Sequence, residues 1–316
     1  MLMTFKILIP DTVACEIPAE LGEAQIYDSH LPLPDDALDA DALVIWGMPD
    51  DLLPDAARRL KRVRWVQVLS AGAEAAAAAG FAPDVILTNG RSLHDRPVAE
   101  HALALTLAAA RSLHTLVRAQ MGHRWAGELG GAQPEPTPGK FTTLRGARVT
   151  IWGFGSIGST LAPHLTALGA HVTGVARTAR REGDYDVVAT TELAQILPKT
   201  DVLIMILPAS AATEKALNAE LLALLPAHAW VVNVGRGATV DEDALIASLN
   251  CGAIAGAALD VTRLEPLPPE SPLWDLPNVI ITPHAAGGRP LGAAELITEN
   301  LRAFRLRQPL RNVMER

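Results

Sequence analysis

Aromatic residues are scarce: Phe, Tyr and Trp together make up 4% of the 316 residues, so Ala, Leu and Val must fill the core. Cysteine is scarcer still. Cys15 and Cys251 are the two cysteines, which excludes a disulfide framework, and no Cys/His grouping has zinc spacing, so no metal is expected. Two thiols fit a reducing compartment, and a cytoplasmic location is the expectation. No run of about 18 apolar residues exists, so no membrane span is expected. The start, Met1–Pro10, has too short an apolar stretch and too early a charge for a signal peptide. A basic run is also missing. Lys plus Arg number 27 against 35 Asp plus Glu, and a formal charge of −8 argues against sequence-independent nucleic-acid binding. No repeat with a period of roughly 20–50 residues is visible. What is present is 49% hydrophobic and 20% charged residues, enough for a sizeable core, in a length that suits two domains.

Short β-branched or apolar runs alternate with longer Ala- and Leu-rich or polar segments. Phe5–Ile9, Ala42–Trp46, Trp65–Leu69 and Val85–Thr88 read as strands. A second series begins at Ala147–Trp152 and His171–Ala176, which flank a helix at Ser156–Leu168. It continues through Val187–Ala189, Val202–Leu207, Trp230–Asn233, Gly256–Asp260 and Val279–Thr282. Such alternation predicts α/β units around parallel sheets. Pro97–Arg118 reads as one long helix and Pro290–Gln308 as another. Gly127–Thr143, with three prolines and four glycines, reads as an exposed loop.

The first chemical motif is Gly153-Phe154-Gly155-Ser156-Ile157-Gly158. A glycine-rich turn of this spacing is a weak signal alone. Here it follows a strand, opens a helix and precedes a second strand, which is what a dinucleotide-binding fingerprint needs. Gly153 permits the tight turn, Gly155 lets backbone approach a pyrophosphate, and Gly158 lets helix pack on strand. The helix start then favours the anion. At the end of the second strand an acidic residue would take a ribose 2′-hydroxyl. The chain instead reads Arg177-Thr178-Ala179-Arg180-Arg181, with no carboxylate before Glu182. Arg177, Thr178 and Arg180 suit a 2′-phosphate, so NADP(H) is the expected cofactor, with NAD(H) as the alternative.

Three further segments place polar residues just past expected strands: Asn233-Val-Gly-Arg236-Gly, Asp260-Val-Thr-Arg-Leu-Glu265-Pro, and Thr282-Pro-His284-Ala-Ala-Gly287. Ligands of open parallel sheets bind beyond the carboxyl ends of the strands. Reduction of a carbonyl by hydride needs a proton for the oxygen. His284 is the natural donor, Glu265 would orient its ring and favour the imidazolium, and Arg236 would hold a carboxylate and polarise the carbonyl.

These segments resemble the D-isomer-specific 2-hydroxyacid dehydrogenase family, which includes glyoxylate/hydroxypyruvate reductases and phosphoglycerate dehydrogenases. The resemblance rests on Asn233–Asp241, Asp260–Pro268, Thr282–His284 and the closing Asn300–Val313, and it spans nearly the whole chain. It implies Arg236, Glu265 and His284 as the catalytic set. It implies that Asp260 contacts the nicotinamide amide and that Leu207, Pro208, Val234, Gly235 and Gly287 line the cofactor groove. It further implies that the backbone of Ala71, Gly72 and Ala73 holds the substrate carboxylate, although Glu74-Ala75 replaces the family's usual following Val-Asp. Thr262-Arg263 also departs from the family's aromatic-containing segment before Glu265.

The fold implied is two doubly wound parallel-sheet domains, with a Rossmann cofactor domain (97–288) inserted into a flavodoxin-like substrate domain (1–96 plus 289–316). The resemblance also implies a homodimer joined through residues 97–145, and closure of the domains around substrate. The expected activity is reduction of a small 2-oxoacid such as glyoxylate or hydroxypyruvate. An NAD-linked dehydrogenase of another D-2-hydroxyacid, phosphoglycerate-like, is one alternative, and a non-enzymatic nucleotide-sensing protein is another.

Overall fold

The computed structural model describes residues 5–131 and 139–314. The chain divides into two compact units: one runs up to His94 and resumes at Gly288, and the other spans Asp95–Gly287.

The first unit holds strands β1 (Lys6–Pro10), β2 (Glu23–Tyr27), β3 (Ala42–Ile45), β4 (Trp65–Val68) and β5 (Ile86–Thr88). They form one parallel sheet in the order β2-β1-β3-β4-β5. Successive side chains point to opposite faces, so each strand feeds two cores. Leu8, Leu43, Val66 and Leu87 pack on one side with helices α1 (Leu53–Arg59) and α2 (Glu74–Ala78). Ile7, Ile9, Val44 and Trp65 pack on the other against the last helix of the chain, Ala293–Arg305. Asn300 on that helix is fully buried. Its Nδ2 donates to Gln67 Oε1 (2.8 Å), and its Oδ1 accepts from the Arg311 backbone (2.8 Å). The closing Asn300–Val313 motif thus ties the C-terminal segment to β4, and Val313 bridges Thr88 on β5.

The second unit begins with helices α3 (Asp95–Ala110) and α4 (Leu113–Met121). Strands and helices then follow: β6 (Arg148–Trp152), α5 (Ser156–Ala167), β7 (His171–Ala176), β8 (Arg180–Glu182), β9 (Tyr185–Ala189), α6 (Leu193–Ile196), β10 (Val202–Met205), α7 (Ala219–Leu222), β11 (Trp230–Asn233), α8 (Glu242–Asn250), β12 (Gly256–Leu259) and β13 (Val279–Ile281). The sheet order is β13-β12-β11-β10-β6-β7-β9-β8, parallel except for the β8–β9 hairpin. Val149, Ile151, Val202, Ile204 and Val232 meet α3 and α5 on one face, while Leu203, Met205, Val231 and Leu259 meet α8 on the other. Covering both faces explains the unbroken apolar runs of β10 and β12, whose residues are all buried. The Val, Leu, Ile and Met side chains among them each contribute roughly 1.5–3 kcal/mol by leaving water. Strand order reverses between β6 and β10, the switch point where a doubly wound sheet opens a crevice.

Three elements differ from the sequence expectation. The single helix expected over Pro97–Arg118 is two helices, because Ser112 takes a left-handed φ of 51°. The polar strand β2 was not expected, and its exposed edge residues show why periodicity missed it. The basic turn after β7 doubles back as β8. Of the loop expected at Gly127–Thr143, residues 132–138 lie outside the described residues, and Gly127–Leu129 forms a short 3-10 turn. Among the described residues, no helix is long and apolar enough to cross a membrane, and no metal-ligating cluster occurs.

Candidate active site

The glycine loop after β6 is shaped by backbone contacts that exclude side chains. Gly153 has a φ of +104°, and a Cβ there would lie 2.5 Å from the Ile206 carbonyl oxygen. The amides of Gly153 and Phe154 both donate to Val175 O at 3.0 Å, which pins the loop to β7. A Cβ on Gly158 would meet Gly153 O at 3.2 Å and Ile151 at 3.3 Å, so this glycine lets α5 lie close on β6. Gly155 is different. A Cβ there would meet nothing within 4 Å, and no side chain caps the start of α5 behind it. Open space beside uncapped helix amides suits a pyrophosphate. Phe154 places its ring in the core and offers only backbone to this loop; Gly174 makes room for that ring, since a Cβ would sit 2.5 Å from it. Ser156 Oγ donates to Asp95 Oδ1 (2.9 Å), and Ile157 packs against the core.

The residues expected to read the ribose lie past β7. Arg177 and Thr178 are exposed. Arg180 is on β8, and its guanidinium donates to the Phe154 carbonyl (2.6 Å) and pairs with Glu182 (2.5 Å). Glu182 also accepts from Ser159 Oγ in the first turn of α5. The Ser159 hydrogen bond, with Arg180 beside it, holds the Glu182 carboxyl below the usual range despite desolvation. The hairpin therefore folds a carboxylate back to the glycine loop, which the linear sequence placed too late to count.

The remaining residues follow the carboxyl ends of neighbouring parallel strands. After β10, Leu207 is half-buried and Pro208 exposed, and a Cβ on Gly235 would lie 2.6 Å from Leu207 O. After β11, buried Asn233 folds the next turn: its Oδ1 accepts from Gly235 N (3.0 Å) and its Nδ2 donates to Arg236 O (3.1 Å). Val234 is buried and its amide continues the sheet to Met205 O. A Cβ on Gly237 would lie 1.9 Å from Thr262 O, so the Arg236 loop lies directly on the loop that carries Glu265. The Asn-x-Gly-Arg-Gly pattern is thus one turn residue, two close approaches and one half-buried cation.

Glu265 and His284 meet. His284 Nδ1 and Glu265 Oε2 are 2.6 Å apart, and Glu265 Oε1 accepts from Thr262 N at 3.1 Å. A carboxylate accepts, so Nδ1 carries the proton and Nε2 is the ring nitrogen left for chemistry. The Glu265 hydrogen bond raises the His284 pKa. Burial opposes it, the charges of Glu265 and Asp260 add to it, and Arg236 subtracts from it. Burial pushes the Glu265 carboxyl up, but His284, the Thr262 amide and Arg236 outweigh it and hold the carboxyl below the ordinary range. Arg236 is near enough for its charge to act on both partners.

Asp260, the residue expected at the nicotinamide amide, is tied to the His284 loop. Its side chain has 0% exposure, and both oxygens are engaged within the chain: Oδ1 accepts from Thr282 Oγ1 (2.6 Å) and Ala285 N (2.9 Å), and Oδ2 accepts from Ala286 N (3.0 Å). It acts on the site by holding the His284 loop. Gly287 closes that loop as the last residue of the second unit. Ala71, Gly72 and Ala73 lie in the first unit after β4, where Ser70 Oγ donates to Gly72 O (2.5 Å).

Residues 103–286 match the family model described as D-isomer specific 2-hydroxyacid dehydrogenase, NAD binding domain. The chain belongs to the D-isomer specific 2-hydroxyacid dehydrogenase family. A glyoxylate reductase of Aeropyrum pernix is 33% identical over 309 residues, covering 92% of this chain and 89% of its own. Among solved structures, a D-isomer specific 2-hydroxyacid dehydrogenase of Xanthobacter autotrophicus Py2 in complex with NADPH and MES is 30% identical, with a TM-score of 0.78 over 99% of this chain and 98% of that one. An NADPH-dependent glyoxylate/hydroxypyruvate reductase of Sinorhizobium meliloti in complex with NADP and sulfate is 25% identical, with a TM-score of 0.81 over 99% and 98%. This member of the 2-hydroxyacid dehydrogenases is therefore an oxidoreductase, and its second unit contains the NAD binding domain.

Proposed function

We propose that this protein is an NADPH-dependent 2-oxoacid reductase that acts on glyoxylate or hydroxypyruvate. The observation that carries the reading is the 2.6 Å Glu265–His284 pair, within the field of Arg236, on the same edge of the sheet as the glycine loop. The names of the Aeropyrum and Sinorhizobium relatives supply the substrate class, and the exposed Arg177 and Thr178 favour a cofactor with a 2′-phosphate.

Gly153–Gly158, Arg177, Thr178 and Arg180 would hold the dinucleotide, with Leu207, Pro208, Val234, Gly235 and Gly287 along its groove. When bound, the nicotinamide supplies hydride to the carbonyl carbon. The Arg236 guanidinium holds the substrate's carboxylate and draws charge toward the carbonyl oxygen. His284, charged through its pairing with Glu265, gives a proton from Nε2 to that oxygen as negative charge develops there. Glu265 keeps the ring oriented and stabilises the charge it carries beforehand. In the oxidative direction neutral His284 takes the hydroxyl proton back. The amides of Ala71, Gly72 and Ala73 are assigned to the substrate carboxylate as part of the same reading.

A homodimer is part of the proposal as well. Leu113, Val117 and Met121 lie at four-residue spacing along α4 and are 47%, 50% and 78% exposed, with Trp125 beyond them at 95%. On another face of α4, Arg118 donates to the Pro277 and Val279 carbonyls, which fixes the helix to its own unit. Sedimentation equilibrium tests the dimer. The two free cysteines suit a cytoplasmic location.

The activity is tested with a panel of 2-oxoacids and both reduced cofactors, followed by absorbance of the nicotinamide. Turnover of glyoxylate or hydroxypyruvate with a kcat/KM higher for NADPH than for NADH is expected. A preference for NADH refutes the cofactor assignment. Tight cofactor binding without turnover of any 2-oxoacid refutes the enzyme reading and favours a nucleotide sensor.

A further inference from the structure

We propose that His101, on α3, is a positioning residue for His284, acting through the buried carboxylate of Asp260; the claim that this affects turnover rests on the reductase reading above.

The argument starts at His284. Its φ is 52°, a left-handed conformation that a non-glycine residue holds only when its surroundings enforce it. Asp260 enforces it at three successive amides. Its main-chain oxygen accepts from His284 N (2.8 Å), while its carboxylate accepts from Ala285 N and Ala286 N. The direction of the imidazole therefore depends on where Asp260 is held.

Asp260 is itself a carboxylate with no exposed side-chain surface, and a buried charge stays put only when its lone pairs are satisfied. The loop amides satisfy part of that demand. The rest comes from two side chains, Thr282 and His101. His101 Nε2 lies 3.2 Å from Asp260 Oδ1 and 3.0 Å from Thr282 Oγ1. The Thr282 hydroxyl spends its proton on Asp260, so its oxygen must accept from His101. That fixes the tautomer: Nε2 of His101 carries a proton in either charge state. Among the described residues, His101 is the one basic side chain within ion-pair distance of Asp260. Its helix is anchored independently, since Ala99, Ala102 and Leu105 on α3 are buried in the core. The order of dependence is thus α3, His101, the Thr282–Asp260 pair, the strained loop, and then the imidazole that donates the proton. Among the described residues, the His101 side chain bonds to Thr282 and Asp260 and not to Glu265 or Arg236, and it lies outside the glycine loop.

The test compares His101→Leu, which removes the donor, with His101→Gln, whose amide Nε2 can occupy the donor's place. Kinetics are measured with NADPH and the best 2-oxoacid, NADPH affinity by fluorescence titration, and folding by Tm. The His284 imidazole is followed by NMR of protein labelled at histidine Cε1, its signal assigned by loss in His284→Ala. The Leu variant is expected to lose about tenfold in kcat, with KM and NADPH affinity within about twofold, because aim rather than binding is disturbed. The Gln variant is expected to regain kcat to within about threefold of wild type. The His284 signal should move in the Leu variant and return in the Gln variant. An unchanged kcat with an unmoved His284 signal in His101→Leu overturns the proposal. So does a Gln variant no better than Leu, or a loss that appears in KM and NADPH affinity instead of kcat. If wild type turns over no 2-oxoacid, the reductase reading fails separately, and the NMR comparison still decides whether His101 positions His284.

Discussion

Two glycines of one motif should fail in opposite ways. Gly153 is required by the fold: its φ is +104°, and an added Cβ would sit 2.5 Å from Ile206 O and 2.7 Å from the carbonyl carbon. Left-handed backbone costs about 1–2 kcal/mol, and forcing packed atoms apart costs about 1–3 more, so Gly153→Ala should lose roughly 2–5 kcal/mol. At about 2–4 °C per kcal/mol for a large domain, Tm should fall by at least about 4 °C. Gly155 is required only by the ligand. Its backbone is extended, with φ −104° and ψ −155°, and an added Cβ would meet nothing within 4 Å. Gly155→Val should therefore leave Tm within about 2 °C, or raise it through the loss of unfolded-state freedom. The same side chain would occupy the space beside the α5 amides, and NADPH affinity should weaken by about tenfold or more, equivalent to roughly 1.4 kcal/mol. Differential scanning fluorimetry without cofactor and NADPH fluorescence titration read the two effects separately. A Gly155→Val protein that binds NADPH like wild type refutes the cradle. One that melts as early as Gly153→Ala refutes the division of labour between the two glycines.

Two further outcomes follow from the electrostatics. Glu265 raises the His284 pKa, so the acid form needed for reduction persists to higher pH and kcat/KM falls as pH rises through that pKa. In Glu265→Gln the fall should begin at lower pH; an unmoved alkaline limb in the pH profile would show that Glu265 does not set the proton donor. Arg177 is exposed beyond β7, and in the proposed function it holds the 2′-phosphate. Arg177→Ser should cost roughly 10- to 100-fold in kcat/KM for NADPH while leaving NADH nearly unaffected, and equal losses with both cofactors would remove it from the ribose site.

The parts of this protein that were legible in its sequence are those where local chemistry decides. β7 runs from His171 to Ala176 as the apolar run implied, and Gly153-Phe-Gly155-Ser-Ile-Gly158 opens α5 with Gly153 and Gly158 answering backbone and packing requirements and Gly155 leaving open space. Arg236, Glu265 and His284 stood out because each follows a strand, and parallel strands deliver their carboxyl ends to one edge. What was not legible depends on distant partners. The sequence does not announce that Asp260 also accepts from Thr282, Ala285 and Ala286 and so holds the His284 loop. Glu182 lay too far along the chain to count until the β8–β9 hairpin returned it to Ser159. His101 reads as one residue in a helical stretch, and only the packing of α3 against β11 and β12 gives it a buried carboxylate to serve. The break at Ser112 carries no proline or glycine to announce it.

The central claim is that the His284 imidazole delivers the proton to a 2-oxoacid carbonyl. It is tested most directly by comparing wild type and His284→Ala in NADPH oxidation with glyoxylate and hydroxypyruvate, with NADPH affinity measured alongside. The account predicts a loss in kcat of roughly 100- to 10,000-fold with cofactor affinity nearly unchanged. A variant that turns over near the wild-type rate contradicts it.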